Sequence, residues 1–461
     1  MHEVPSSFRD PSGHLFWEGD RLYRTVTDRY IDTYQALKRS GLLDILQAEK
    51  KIVEFKEHSA NAFSQPHNGA VLILEPKILP FISYPYEWSF SQLKDAALLT
   101  LDLHIQALKN GFLLKDSSAY NIQFLRGKPI FIDHLSFDPA EKYDIWPAYG
   151  QFCRHFLAPL ALMAKIDPGL NGLLKLHVDG IPLPLACKLL PMRKLLNFGF
   201  FIHLWAHAKF QKKYADKGHV VKKMNKLSHR QMLDIAQSLT DTVTKLRWNP
   251  NGTEWIEYYD NTNYSDTAMR NKIDIVTDFV QKVSPISTVW DFGGNTGDIS
   301  RAIQTYADHI VCFDVDAAAV ESNYLQVKKN KETKMLPLVM DFSNPSSDVG
   351  FASKERLSLN QRGKADLIMA LALIHHLAIS NNLPLNHVAK YLASLCRHLI
   401  IEFIPKEDSQ VQRLLLSRED IFDDYTQDHF VGKFSSYFEI KCEERVRDST
   451  RTLYLMKTIP A

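Results

Sequence analysis

The sequence predicts an α/β protein of two domains, and three observations lead to this prediction. The chain has 461 residues, which is more than one hydrophobic core ordinarily serves. From about residue 250 onward, short apolar segments alternate with amphipathic segments, a pattern typical of β-α-β units around a parallel sheet. A glycine-rich turn at 293–297 follows the first apolar segment. The turn-forming stretch NPNGTEW places the domain boundary near 245–255.

Composition and charge narrow the range of functions. Hydrophobic residues make up 45% and charged residues 23% of the chain, as in soluble globular proteins. A net charge of +2 favours neither nucleic acid nor an acidic partner for the chain as a whole. The five cysteines have no CxxC spacing, which indicates free thiols and no metal site. We find no signal-peptide pattern and no apolar run of the about 20 residues that span a bilayer, so we expect a cytoplasmic protein.

The C-terminal half, 250–461, reads as a mostly parallel sheet with helices between its strands. Its strands are nearly continuous apolar runs, as expected for burial on both faces, and the last two should form an antiparallel pair at the sheet edge. Strands are predicted at 287–292, 309–315, 335–342, 365–373, 397–405, 438–446 and 450–457. Helices are predicted at 269–283, 296–307, 316–329, 384–396 and from about 406 to 424.

The glycine-rich turn, STVWDFGGNTGDISR at 287–301, lies where ligands bind in open α/β sheets, after the carboxyl end of a strand. Glycine permits positive φ and a close approach of the backbone to a ligand. The turn lacks the Lys-Ser/Thr pair of a P-loop. It also fails the dinucleotide pattern, because Asn295 and Asp298 stand where that pattern needs its second and third glycines. Neither a triphosphate nor a pyrophosphate fits this turn well.

Three acidic residues close to the predicted strand ends suggest the ligand. Asp291 precedes the turn, Asp314 ends the second strand and Asp341 ends the third. An acid at the position of Asp314 can accept hydrogen bonds from ribose hydroxyls, and one at Asp341 could accept one from an adenine amino group. Three negative charges repel phosphates but suit a cationic nucleoside, and S-adenosylmethionine carries a sulfonium and an α-ammonium group. The electrostatics therefore favour S-adenosylmethionine over ATP or NAD.

Four motifs in this half resemble those of class I S-adenosylmethionine-dependent methyltransferases. They are DFGGNTG, with asparagine at the middle glycine, then VCFDVDAAAVESN, VMDFSNP and ADLIMALALIHHL. Asparagine tolerates left-handed backbone better than most residues, so the departure is mild. The resemblance implies a Rossmann-like methyltransferase sheet that binds S-adenosyl-L-methionine. It assigns the cofactor to Asp291, Gly293, Gly294, Asn295, Gly297, Asp314, Val315, Asp341, Phe342 and Ala370.

Methylation of a hydroxyl group also needs a base, and two histidines follow the fourth strand. His375 and His376 are the candidates because imidazole titrates near neutral pH. His376 is preferred because HHL recurs in small-molecule members of the family, and Glu402 is a second candidate in the cleft. The alternatives are packing for the histidines and a salt bridge for Glu402. Aromatic residues could also close over the site: Tyr425 over the substrate, and Tyr258, Tyr259 and Tyr264 over the cofactor.

The N-terminal half, 1–245, carries Asp116, Asn121 and Asp133 in an order that resembles the catalytic loop of protein-kinase-like and small-molecule phosphotransferase folds. The resemblance implies an α+β domain in which the first aspartate accepts a proton while the asparagine and second aspartate hold magnesium. A hairpin at 14–26, a strand from 71 and a helix at 89–111 fit that order. The glycine-rich phosphate loop and the usual lysine are missing, and Lys115 replaces the usual His or Gly. We therefore expect a degenerate domain, with Mg-ATP bound only if it is active; the alternative is an unrelated helical fold.

The last feature is a basic stretch at 209–230, with eight Lys or Arg residues against one acid. It is either a solvated helical face or a contact with an anionic surface. The two halves together resemble bacterial enzymes that modify glycans and a nodulation-associated methyltransferase-like group. We expect an O-methyltransferase for a small-molecule or carbohydrate acceptor, recruited by the N-terminal domain, and no nucleic-acid partner. The alternatives are a bifunctional phosphotransferase-methyltransferase and a non-catalytic binding protein; the oligomeric state stays open.

Overall fold

The computed structural model describes residues 2–63, 69–195, 197–209, 226–250, 266–416 and 418–460. It divides into two compact units. Unit 1 comprises Met1–Asn249 and Asp348–Arg356, and unit 2 comprises Pro250–Ser347 and Leu357–Ala461. In the described residues, no helix is long and apolar enough to cross a membrane.

Unit 1 begins with a five-stranded antiparallel sheet in the order β1-β2-β3-β5-β4. The predicted hairpin at 14–26 is confirmed, since β2 and β3 pair across a tight turn. Two further antiparallel pairs, β6 with β9 and β7 with β8, follow the long helix of the unit. The strands are β1 His2–Glu3, β2 Leu15–Glu18, β3 Arg21–Thr27, β4 Phe55–Ser59, β5 Ala70–Pro76, β6 Phe112–Leu114, β7 Ile122–Leu125, β8 Lys128–Phe131 and β9 Phe137–Pro139.

The helices of unit 1 centre on α3, which the sequence predicts at 89–111. A capping box starts it, because the Ser89 hydroxyl accepts from the backbone of Gln92 while the Gln92 side chain accepts from the backbone of Ser89. Two π-helical segments, Cys153–Leu157 and Phe201–Ala206, continue neighbouring helices. The helices are α1 Asp28–Arg39, α2 Leu42–Ala48, α3 Phe90–Lys109, α4 Tyr149–Phe152, α5 Ala158–Lys165, α6 Leu173–Leu176, α7 Leu183–Leu189, α8 Met192–Leu195, α9 Phe198–Phe200 and α10 His229–Lys245.

Unit 2 is a mixed α/β domain built on a seven-stranded sheet in the order β12-β11-β10-β13-β14-β16-β15. The first five of these strands pair in parallel, and β16 and β15 pair antiparallel. The predicted edge pair is confirmed, with β16 placed between β14 and β15. The strands are β10 Ile286–Phe292, β11 Ala307–Asp314, β12 Met335–Val339, β13 Ala365–Ala370, β14 Cys396–Phe403, β15 Phe438–Arg445 and β16 Thr452–Thr458.

The helices of unit 2 pack their apolar stripes against this sheet. In α11 the residues Val276, Phe279 and Val280 recur at helical spacing and are fully buried in the core. The predicted helix at 406–424 was wrong in length, because the helix ends at Leu415 and Phe422 onward forms turns held by backbone bonds. The helices are α11 Asp266–Val283, α12 Asp298–Ala302, α13 Ala317–Asn330, α14 Leu385–Leu395, α15 Ser409–Leu415 and α16 Gln427–Phe434, with a π-helical turn at His376–Ser380.

Candidate active site

A cavity of about 390 Å³ opens in unit 2 where four parallel strands end. The strand order reverses at β10, which lies between β11 and β13, and ligands bind at such a switch point. Each of β10, β11, β12 and β13 sends the residues after its carboxyl end to the wall. The cavity is lined by Met269, Lys272, Asp291, Gly293, Gly294, Asn295, Ile299, Asp314, Val315, Met340, Asp341, Phe342, Ser343, Leu371, Ala372, Leu373, His376, Leu377, Ser380, Asn381 and Leu414.

The glycine-rich turn forms one wall because its backbone is tight and partly left-handed. Gly293 and Asn295 have φ of 78° and 49°, and asparagine is among the few residues that tolerate this region. A Cβ at Gly294 would lie 2.4 Å from the Cys312 Sγ and 2.7 Å from the Asp291 Oδ2. Any larger residue at position 294 would therefore displace the carboxylate that the turn packs against.

Two buried carboxylates reach this wall. The Ser300 hydroxyl donates to Asp291 at 2.7 Å. The backbone N–H groups of Asn295 and Asp316 donate to the two oxygens of Asp314 at 2.8 and 2.9 Å. Burial is the main cause that raises the pKa of both Asp291 and Asp314 to about 6. The site thus holds two acids whose negative charge is costly until a cation approaches.

Another part of the wall comes from the residues that follow β11 and β12. Asp341 is exposed, and its Oδ1 accepts from the backbone and hydroxyl of Ser343 at 2.8 and 2.7 Å. The Phe342 ring stacks on Phe292 with centroids 3.7 Å apart. Val315 is 58% exposed although it is apolar. An apolar surface beside a carboxylate suits a heterocyclic base that also offers an amino group.

Lys272, which the sequence analysis missed, brings a cation to the cavity. It lies on α11, and its Nζ donates to Glu402 Oε2 at 2.7 Å with both side chains buried. The same oxygen accepts from the backbone N–H of Ala372 at 2.8 Å. Burial lowers the pKa of Lys272, although the Glu402 carboxylate opposes this. The interpretation of Glu402 as a cleft residue needs correction, because it does not line the cavity and binds Lys272 instead.

The two candidate bases, His376 and His375, differ in their access to the cavity. His376 lines the cavity and is half-buried. His375 lies behind it, 1% exposed, with ring centroids 4.1 Å apart, and burial lowers its pKa well below the ordinary value. A neutral, enclosed imidazole cannot reach an acceptor in the cavity, so His375 is the weaker candidate.

Three further predicted residues, Ala370, Gly297 and Tyr425, are not in the cavity lining. Ala370 is buried within β13. Gly297 has φ of 83°, and a Cβ there would lie 2.6 Å from the Asn323 Nδ2, so it shapes the start of α12. The Tyr425 hydroxyl donates to the Ile404 carbonyl in the core at 2.9 Å. Tyr258, Tyr259 and Tyr264 fall outside the described residues, as does 210–225 of the basic stretch.

In unit 1, one of the predicted acids, Asp133, forms an ion pair with an arginine of the protein. Arg24 on β3 lies 2.8 Å from Asp133 and also pairs with Asp10. Burial opposes ionisation of Asp133, but Arg24 and bonds from Ser136 and the Leu135 backbone outweigh it and lower its pKa. At the aspartate to which the sequence resemblance assigned magnesium, the chain therefore supplies a guanidinium.

The other two members of the predicted set flank this pair. Asp116 accepts from Ser118 N and Gln151 Nε2 at 2.9 and 2.8 Å. Burial, and next the Asp133 charge, raise its pKa. Asn121 ends a 3₁₀ turn before β7. Within the described ranges, no group of three or more His, Cys, Asp or Glu side chains is arranged to hold a metal.

Comparison with known proteins assigns the family. The chain is 34% identical to the nodulation protein NoeA of Rhizobium meliloti (strain 1021) over 462 residues, which cover 98% of this chain and 95% of the relative. The chain belongs to the NoeA family. No family model matches it.

Solved structures resemble about two fifths of the chain. The N-methyltransferase NodS from Bradyrhizobium japonicum WM9 matches 42% of this chain and 99% of its own length, at 9% identity and a TM-score of 0.33. Magnesium protoporphyrin IX methyltransferase from Synechocystis PCC 6803, with bound SAH, matches 44% and 93% at 14% identity and a TM-score of 0.32. At these TM-scores the likenesses add nothing to the argument from the chain's own sheet and cavity.

Proposed function

We propose that unit 2 of this NoeA-family chain is an S-adenosylmethionine-dependent methyltransferase. The observation that carries the proposal is the cavity at the strand switch point, with Asp291 and Asp314 buried at its wall. Their raised pKa values mean that a bound cation would stabilise both ionised forms. A ligand with positive charge is therefore favoured, and a phosphate is disfavoured.

The size and chemistry of the lining fit that cofactor. The volume of about 390 Å³ lies in the range of about 300–1,000 Å³ that small-molecule sites occupy. Asp314 would hold the ribose hydroxyls, Asp341 the adenine amino group, and Val315 with Phe342 the faces of the base. Lys272 lines the same cavity near Asp291, and Glu402 balances its charge.

The bound cofactor would supply a methyl group already activated by its sulfonium. The chain's own task is then to align an acceptor and to remove a proton from its hydroxyl group. His376 is the side chain that we assign to this step, because it lines the cavity on the turn after β13. We assign no such step to Glu402, because its charge is committed to Lys272.

The acceptor is proposed to be a small molecule or a carbohydrate, bound with the help of unit 1. The relative is named a nodulation protein, and we propose that this chain acts in the same process. A phosphotransferase role for unit 1 has less support. Arg24 neutralises Asp133, and a magnesium ion would have to displace it.

The test is a transfer assay with radiolabelled S-adenosylmethionine and a panel of oligosaccharide and small hydroxylated acceptors. Asp314→Ala should abolish transfer, and Asp308→Ala, an exposed change at the other end of β11, should not. His376→Gln should lower kcat by about a hundredfold or more while S-adenosylhomocysteine still binds. Equal transfer by wild type and Asp314→Ala would refute the proposal.

A further inference from the structure

One helical segment of unit 1 exposes several large apolar side chains on one face. Residues 198–209 form α9, the following π-helical turns and one more helical turn. Phe198 is 75%, Phe201 43% and Ile202 36% exposed. Together with Trp205 and Lys209 they recur at the spacing of a single helix face. We call these five residues the exposed face.

The opposite side of the same segment holds it firmly to unit 1. Phe200, His203, Leu204 and Ala208 are buried, and they also recur at helical spacing. The His203 Nε2 lies 2.9 Å from the Ser238 hydroxyl on α10. A Cβ at Gly199 would lie 2.2 Å from the Thr242 Oγ1, so the two helices are in close contact. The exposed face is therefore presented by a fixed helix.

Neighbouring residues enlarge this apolar surface. Leu189 on α7 and Met192 on α8 are 41% and 72% exposed, and both helices contact the 198–209 segment. Seven of the eighteen exposed large apolar side chains in the described residues lie between Ile166 and Ile202. Isolated exposed apolar residues are normal, but such clustering marks an interaction site.

The sequence that flanks the exposed face carries positive charge. Between Gly180 and Ala215 the sequence has no Asp or Glu but contains six basic residues. Arg193 and Lys194 are exposed just before the segment. The Lys209 Nζ lies 4.0 Å from the centre of the Trp205 ring, and the Phe201 ring stacks on the same tryptophan. Two copies of this face would oppose like charges, which disfavours a homodimer.

From this combination we propose that the exposed face docks unit 1 onto a lipid bilayer that carries anionic headgroups. Exposed Phe, Ile and Met side chains enter the boundary between headgroups and acyl chains, and Lys and Arg bind the phosphates, as in helices that lie in the membrane plane. The docking does not depend on the methyl-transfer chemistry of unit 2.

Flotation of the full chain with lipid vesicles tests the proposal. The protein should float with phosphatidylcholine vesicles that contain phosphatidylglycerol, should stay behind with pure phosphatidylcholine, and should be released by salt. Phe198→Ser/Phe201→Ser should weaken binding by at least about tenfold. Arg193→Glu/Lys194→Glu should weaken it by about thirtyfold or more.

Control variants change other exposed residues of unit 1. Ile45→Ser/Val71→Ser and Lys109→Glu should bind as wild type, and circular dichroism should show every variant folded. The proposal is overturned if no vesicle binds the wild type, or if the variants of the exposed face and the controls bind equally. It is also overturned if the Phe198→Ser/Phe201→Ser change alters only the sedimentation of the lipid-free chain, which would indicate a protein partner.

Discussion

The two units place aspartates after strand ends in similar ways, yet these aspartates meet different surroundings. In unit 2, Asp314 faces a cavity, and burial raises its pKa to about 6. In unit 1, Asp133 meets Arg24, and its pKa is lowered. A carboxylate is therefore available to a ligand where no cationic side chain of the protein pairs with it. Sequence position alone does not reveal which case applies.

The largest effect on stability is expected at Lys272, whose charge is balanced by the buried Glu402 carboxylate. Lys272→Met should lower the free energy of unfolding by about 3–5 kcal/mol, because it leaves Glu402 buried without its partner. Lys282→Met, on the exposed side of the same helix, should change it by less than about 1 kcal/mol. Urea denaturation measures both.

A double variant shows whether the loss comes from the unpaired charge of Glu402. Lys272→Met/Glu402→Gln should recover much of the loss, since no unpaired charge remains buried. If Lys272→Met alone is as stable as the wild type, Lys272 and Glu402 do not form a buried ion pair.

The next effect compares the two aspartates directly at neutral pH. Asp133→Asn should cost about 1.5–3 kcal/mol of folding stability, because it removes a charge-assisted bond from Arg24. Asp314→Asn should change stability by no more than about 1 kcal/mol in either direction, because relief of a buried charge offsets one lost hydrogen bond. Thermal or urea unfolding of both variants provides the comparison. A larger loss at position 314 than at 133 would reverse our assignment of roles.

The smallest effect concerns pH. The carboxyl groups of Asp291 and Asp314, with pKa values of about 6, are mostly neutral at pH 5 and ionised at pH 7. Affinity for S-adenosylmethionine should therefore rise by about tenfold over this interval. In Asp291→Asn the rise should be smaller. A pH-independent affinity in the wild type would mean that neither carboxylate faces the cationic groups.

Much of the fold of unit 2 follows from the sequence, because its strands are long apolar runs between amphipathic helices. The helix predicted at 269–283 and the strand predicted at 287–292 agree with α11 and β10 within three residues at each end. The errors of the prediction lie mainly at the ends of helices and strands. The strand predicted at 365–373 stops at Ala370, because Ala372 turns into a left-handed backbone, with φ of 50°.

The site was harder to predict in full. The acids and glycines follow strand ends, where the sequence pattern is informative, and most of them line the cavity. Lys272 gave no signal, since a lysine on an amphipathic helix is ordinarily a solvated residue. Its partner Glu402 lies 130 positions away, and only the folded chain brings the two together. The HHL motif favoured His376, and His376 is the histidine that lines the cavity.

We propose that unit 2 holds a cationic nucleoside cofactor, whereas unit 1 holds no magnesium nucleotide. Calorimetric titration of the intact chain with S-adenosylmethionine, its demethylated product and, separately, Mg-ATP distinguishes the two units. We predict one micromolar site for the cofactor pair, lost in Asp314→Ala and retained in Asp308→Ala, and no heat from Mg-ATP. Binding of Mg-ATP with no cofactor binding by the folded protein would contradict the claim and move the function to unit 1.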